Sequence, residues 1–248
     1  MSRAFMKAVV VGASSGIGEA IAKRLSADGA SVALVARREG ELARVREGLV
    51  HRESAHIYAH DVTKFDEVPE LFDRIVNDLG GLDLIVYAAG VMPKIEEGEY
   101  SFDKDRQMVE VNLLGAMAWL NPAAARFEAQ RSGTLVGISS IAGERGRRGN
   151  PGYCTSKAAL TTYLESLRNR VSRYGVNVVT IKPGFVDTQM TRGMKGLFWL
   201  ISPDQAAETS LAVAHDGSSP EVFVPARWWL VAFIVRWLPT FVFRRLNF

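Results

Sequence analysis

The sequence predicts one α/β domain built on a doubly wound parallel sheet of about seven strands, with helices on both faces. Short β-branched runs alternate with longer amphipathic stretches along the 248 residues. The runs are apolar almost throughout, as strands covered on both faces must be. No proline-rich or serine-rich linker, repeat or low-complexity segment breaks the alternation.

The elements follow in order. The N-terminal apolar run stops at a glycine loop and not at a small-residue cleavage site, so residues 8–11 read as a first strand and not as a signal peptide. A helix is expected over 16–28, a strand over 31–36, a helix over 39–52 and a strand over 56–59. A helix over 66–78, a strand over 82–87 and a long helix over 102–130 come next. A strand over 133–138, a helix over 151–174 and a strand over 176–181 complete the pattern. A single α/β domain is thus expected to occupy 1–225, and 226–248 to form a hydrophobic, aromatic and basic tail.

Composition narrows the function classes. With 48% hydrophobic and 23% charged residues the chain can bury a large core, and disorder is excluded. A net charge of +3 with no lysine or arginine block argues against nucleic acid. Cys154 is the only cysteine, which rules out an intramolecular disulfide and points to a reducing, cytoplasmic setting. His51, His56, His60 and His215 lack ligand spacing, so no metal is expected.

After the first strand stands Gly12-Ala13-Ser14-Ser15-Gly16-Ile17-Gly18, leading into a helix. Glycines there allow a tight turn and close backbone approach, so amide groups and the positive helix end can meet a pyrophosphate. A glycine turn can also serve purely as a connection, but its place between strand and helix favours the phosphate loop of a Rossmann-type fold. An NAD-specific fold places an acid about 20 residues further on, at the end of the second strand. Here that strand ends in Arg37-Arg38. An arginine binds a 2′-phosphate with two parallel charge-assisted bonds, whereas a carboxylate would repel it. NADP(H) is therefore expected, with Arg37 as main contact and Arg38 and Ser14 or Ser15 assisting; the other reading is that both arginines begin a solvated helix.

In these motifs the chain resembles the short-chain dehydrogenase/reductase family, over nearly everything before the tail. Gly12, Gly16 and Gly18 match the glycine motif, with Val11 where a threonine is usual. Asp61-Val62 matches the pair set against the adenine ring, and Ala88-Ala89-Gly90 matches an Asn-Ala-Gly segment whose asparagine is alanine here. That change implies a lost side-chain hydrogen bond in the central sheet. Asn112, Ser140, Tyr153 and Lys157 match the catalytic tetrad, and Pro183-Gly184, Val186 and Thr188 the segment that closes over the nicotinamide. Tyr100-Ser-Phe-Asp-Lys104 has the same Tyr-x-x-x-Lys spacing, but only Tyr153 has a serine thirteen positions upstream at a strand end. Ser139 reads as a structural hydroxyl and Cys154 as packing.

The resemblance implies hydride transfer between nicotinamide and a carbonyl or secondary alcohol carbon. Tyr153 would supply the proton, its pKa near ~10 drawn down by Lys157 one helical turn away. Lys157 would also hold the nicotinamide ribose. Ser140 would donate to the substrate oxygen, and Asn112 would hold a water linking Lys157 to solvent. Family members pair through the helices after strands four and five, which implies a homodimer or homotetramer. The reading from another class is a non-catalytic NADP(H)-binding sensor or scaffold.

Two segments bear on the substrate. Arg145, Arg147 and Arg148 lie between Ser140 and Tyr153, either to hold an anionic substrate group or as a solvated loop or subunit contact. In the tail the longest apolar run, 228–235, is too short to span a bilayer, and Arg236 and Pro239 interrupt it. Tryptophan with arginine suits a peripheral membrane surface; packing over the substrate cleft or on another subunit is the alternative. Loop and tail together resemble bacterial reductases of polyprenyl-phosphate-linked 2-keto sugars, which implies a lipid-linked substrate; a hydrophobic ketone would need only the tail.

Overall fold

The computed structural model describes residues 5–217 and 219–246. The N-terminal four residues and the last two of the tail, Asn247 and Phe248, lie outside the described residues.

Seven strands form one parallel sheet: β1 (Lys7–Val11), β2 (Ser31–Ala36), β3 (Ala55–Ala59), β4 (Leu84–Tyr87), β5 (Gly133–Ile138), β6 (Val176–Pro183) and β7 (Glu221–Val224). Their spatial order is β3-β2-β1-β4-β5-β6-β7. Side chains alternate across the sheet. Val9, Val11, Ile85 and Tyr87 enter one core with Trp119, Phe127 and Leu164. Ala8, Val10, Val32 and Leu34 enter the other with Ile21, Leu25 and Leu211. Winding reverses between β1 and β4, and a crevice opens at the carboxyl ends of such a pair.

The helices are α1 (Gly16–Ala27), α2 (Glu39–Glu47), α3 (Val68–Leu79), α4 (Phe102–Val109), α5 (Gly115–Gln130), α6 (Pro151–Val171), α7 (Pro203–Asp216), α8 (Trp228–Trp237) and α9 (Thr240–Phe243). In α3 the buried residues Val68, Leu71, Phe72, Ile75, Val76 and Leu79 recur at three and four, Pro69 opens the first turn, and Gly80 closes it in the left-handed region.

Several boundaries depart from the sequence expectation. The helix expected over 39–52 stops at Glu47, because Gly48 follows and only Leu42 and Val45 of that helix are buried. The helix expected over 102–130 is broken by a π-helical turn at Glu110–Leu114. Side chains from neighbouring elements hold that turn: Tyr87 Oη donates to the Val111 carbonyl at 2.6 Å, and Asn112 reaches the backbone of Val91. Helix α7 and strand β7 were not expected individually, yet α7 carries a full capping box between Ser202 and Gln205.

The tail is not detached. Helix α8 buries Trp228 and Ala232, one turn apart, and presents Trp229, Leu230, Phe233, Ile234 and Trp237 outward. No helix among the described residues is long and apolar enough to cross a membrane.

Candidate active site

The glycine turn follows from steric limits. Gly12 has φ +93°, and a Cβ there would stand 2.4 Å from the Ala89 amide nitrogen. A Cβ on Gly18 would stand 2.3 Å from the Gly12 carbonyl oxygen. Only glycine lets the loop press onto the end of β4 and α1 press onto the loop. Ala88 donates its backbone N–H to the Val11 carbonyl at 2.8 Å, which joins β1 and β4 at their carboxyl ends. Ser15 takes the cap position of α1 with extended backbone and makes no capping bond, which leaves the helix's first amides open to an anion.

Arg38 Nη2 donates to Ser14 Oγ at 3.0 Å and to Ser15 Oγ at 3.2 Å, so its fork lies on the glycine loop. Arg37 leans instead toward Asp61, with 3.6 Å between charged atoms. Asp61 also accepts from the Thr63 amide and hydroxyl; burial raises its pKa, but these bonds and Arg37 outweigh that and hold the carboxyl low. Its neighbour Val62 is buried. The sequence reading had given Arg37 the leading place on the phosphate. In the structure Arg38 lies on the loop while Arg37 faces Asp61. The glycine turn, the open helix end and this arginine fit a phosphorylated dinucleotide.

Asn112, Ser140, Tyr153 and Lys157 are all buried and cluster beyond the carboxyl ends of β4 and β5: Ser140 bonds the Tyr153 hydroxyl, and Asn112 and Lys157 both flank Gly90. Asn150 caps α6 by accepting from the Tyr153 amide at 3.1 Å, fixing the first turn from which Tyr153 projects. Lys157, four residues on, places Nζ 5.9 Å from the Tyr153 ring centre and donates to the Ile138 carbonyl at 2.8 Å. Desolvation pushes its pKa down to about 8. Burial raises the Tyr153 phenol, while Ser140 and the positive charge of Arg147 act in the opposite direction. Tyr153 Oη also lies 4.0 Å from Met190 Sδ.

Asn112 accepts from the Val91 amide at 2.7 Å and donates to the Val91 carbonyl and Ser156 Oγ, each at 3.0 Å. Its amide therefore clamps the strand end, with Gly90 between it and Lys157. Ser139 donates to the Lys157 carbonyl at 3.0 Å and pairs with Thr161, a structural hydroxyl as expected. Cys154 is buried, and Tyr100 is an exposed residue before α4.

The closing segment begins at Pro183-Gly184 and returns over the glycine loop, where Thr188 meets Gly16. Val186 is buried and bridges Ile201. Gly184 has no room for a side chain, since a Cβ would stand 1.9 Å from Trp228 Nε1. Trp228 also packs against Phe185, Phe198 and Trp199, tying α8 to this segment. Glu144 binds Lys182 and Arg236, both at 2.5 Å, and Arg145 donates to the Val235 carbonyl at 2.9 Å, to the Leu238 carbonyl, and to Thr240 at 3.2 Å. Sequence reasoning missed Asn150, Met190, Glu144 and Trp228. Of these only Asn150-Pro151 carried a local signal, that of a cap with proline behind it.

A family model described as short chain dehydrogenase matches residues 6–195. An uncharacterized oxidoreductase of Staphylococcus epidermidis is 36% identical over 186 residues, covering 75% of this chain and 80% of that protein. One from Staphylococcus aureus strain MRSA252 is 38% identical over 184 residues, covering 74% and 79%. Among solved structures, ElxO with NADP bound superposes with a TM-score of 0.80 at 21% identity, covering 88% of this chain and 96% of that one. The crystal structure of gox2181 gives 0.81 at 22% identity, covering 90% and 96%. These two likenesses are of fold.

Proposed function

The chain belongs to the short chain dehydrogenase family and is an oxidoreductase of that type, and from that premise we propose that it uses NADP(H) to interconvert a carbonyl group and a secondary alcohol on a hydrophobic or lipid-linked substrate. The observation that carries this reading is the buried cluster in which the Tyr153 hydroxyl meets Ser140 and its ring stands 5.9 Å from Lys157 Nζ.

Bound NADPH would supply the hydride. Ser140 Oγ orients the substrate oxygen and stabilises the charge that develops on it. Tyr153 Oη gives that oxygen its proton. Lys157, with its pKa pushed to about 8, exchanges protons near neutral pH and restores the phenol. Asn112 keeps Gly90 and Val91 against Lys157, so the pocket holds its shape. Arg38, with Arg37 beside it, takes the 2′-phosphate in place of the loop serines. That ElxO is described with NADP bound is consistent with this choice.

The exposed apolar face of α8 supports a peripheral seat on an anionic membrane, where the substrate's lipid would lie. Trp229, Phe233 and Trp237 face outward, and no acidic residue follows Glu221 while Arg227, Arg236, Arg244 and Arg245 do. Helices α5 and α6 are the proposed pairing surface of a homodimer or homotetramer.

Tyr153→Phe tests the chemistry. NADPH oxidation against a ketone panel should fall about 10²–10⁴-fold, with NADPH affinity unchanged. Undiminished carbonyl reduction by the variant would reject the reading, and an output indifferent to the substitution would favour a sensor.

A further inference from the structure

Three arginines stand between Ser140 and Tyr153, and the structure separates them. Arg145 is taken up by the tail, where it meets carbonyls and the Phe243 ring. Arg148 pairs with Glu97 at 3.3 Å on the surface. Arg147 differs from both. Its Nε is buried without a hydrogen-bond partner, and it forms no ion pair among the described residues. Arg147 is only half-buried as a residue, but a guanidinium keeps its charge at any ordinary pH, and an Nε shut from solvent with no acceptor is costly unless something occupies it. Its charge bears on Tyr153, the proton donor of the proposed reaction.

We propose that Arg147 is a specificity residue: its fork binds an anionic oxygen group, phosphate or carboxylate, carried by the substrate near the carbonyl that Ser140 and Tyr153 address. The inference rests on the reading of Tyr153 above, and it narrows the substrate to anionic carbonyl compounds. Arginine suits the task because its planar donors match both oxygens of such a group at once. Neither neighbour can substitute, since both are already engaged.

The test is a calorimetric titration of the protein saturated with NADPH, so that the cofactor's own phosphate sites are filled. The probes are hexyl phosphate, hexanoate and neutral hexanol. The wild-type complex should bind at least one of the two anions better than hexanol. Arg147→Gln should weaken that binding about 10–100-fold, the worth of a charge-assisted pair. Arg147→Lys should restore part of it, which a merely structural role would not do. Binding of phosphate alone or carboxylate alone identifies the group. No preference for an anion in the wild type, equal binding by Arg147→Gln, or anion binding that NADPH abolishes would each overturn the proposal. Turnover by Tyr153→Phe is read separately, so a failure of the hydride-transfer reading is not mistaken for a failure of this one.

Discussion

Lys157→Met isolates what a buried ammonium costs this fold. Lys157 is 4% exposed, and burial lowers its pKa from the ordinary 10.5 to about 8. Below pH 8 both folded and unfolded chains carry the charge, and the folded one carries it poorly solvated. Between about 8 and 10.5 the unfolded chain keeps the proton while the folded chain has lost it. Stability therefore rises with pH across that window, because the unfolded state binds more protons. At about 1.4 kcal/mol for each pKa unit, the charged form costs roughly 3 kcal/mol at neutral pH. About 2 kcal/mol of this is recovered between pH 7 and 9.5. Methionine fills similar space without ionising, but it strands the Ile138 carbonyl at a pH-independent cost of about 1–3 kcal/mol. The variant should therefore lose turnover yet match the wild type at pH 7 to within about 2 kcal/mol. Across the window the wild type should gain about 2 kcal/mol on it. Urea unfolding of the cofactor-free protein, followed by tryptophan fluorescence at intervals of pH, reads both curves. Parallel curves would refute the reasoning.

Gly184→Ala should destabilise by about 1–3 kcal/mol through collision with Trp228, and much less in a Trp228→Ala background; equal costs in both, by urea unfolding, would sever the supposed contact. Arg38→Ala should weaken NADPH binding about 10-fold or more while leaving NADH unchanged, as fluorescence titration of the two cofactors would read. Replacing Trp229, Phe233 and Trp237 by serine should abolish co-sedimentation with phosphatidylglycerol vesicles at low salt without altering NADPH affinity. Wild-type protein that stays in the supernatant would end the membrane reading.

The parallel sheet was legible because both of its faces are buried, which makes β1, β2 and β5 continuous apolar runs. The glycine turn was legible because Gly12 and Gly18 answer backbone clashes that no other residue survives. The four buried residues of the pocket stood out by order and spacing. What escaped were effects of tertiary neighbours. The π-helical turn at Asn112 is held by Tyr87 and Val91, far away in sequence. Arg37 and Arg38 look alike as adjacent letters, and only the fold shows that Arg38 lies on the loop while Arg37 faces Asp61. Helix α7 was within reach, since Ser202-Pro203-Asp204-Gln205 is a capping box with proline at its first turn.

The tail's contacts have a consequence for how the protein is made. Glu144 and Arg145 beyond β5, and Gly184 beyond β6, take their partners from residues 228–240. Domains fold from the N-terminus as the chain is synthesised. Here all seven strands precede residue 228, so the sheet can close before Glu144, Arg145 and Gly184 acquire these partners, and the segments after β5 and β6 are locked last.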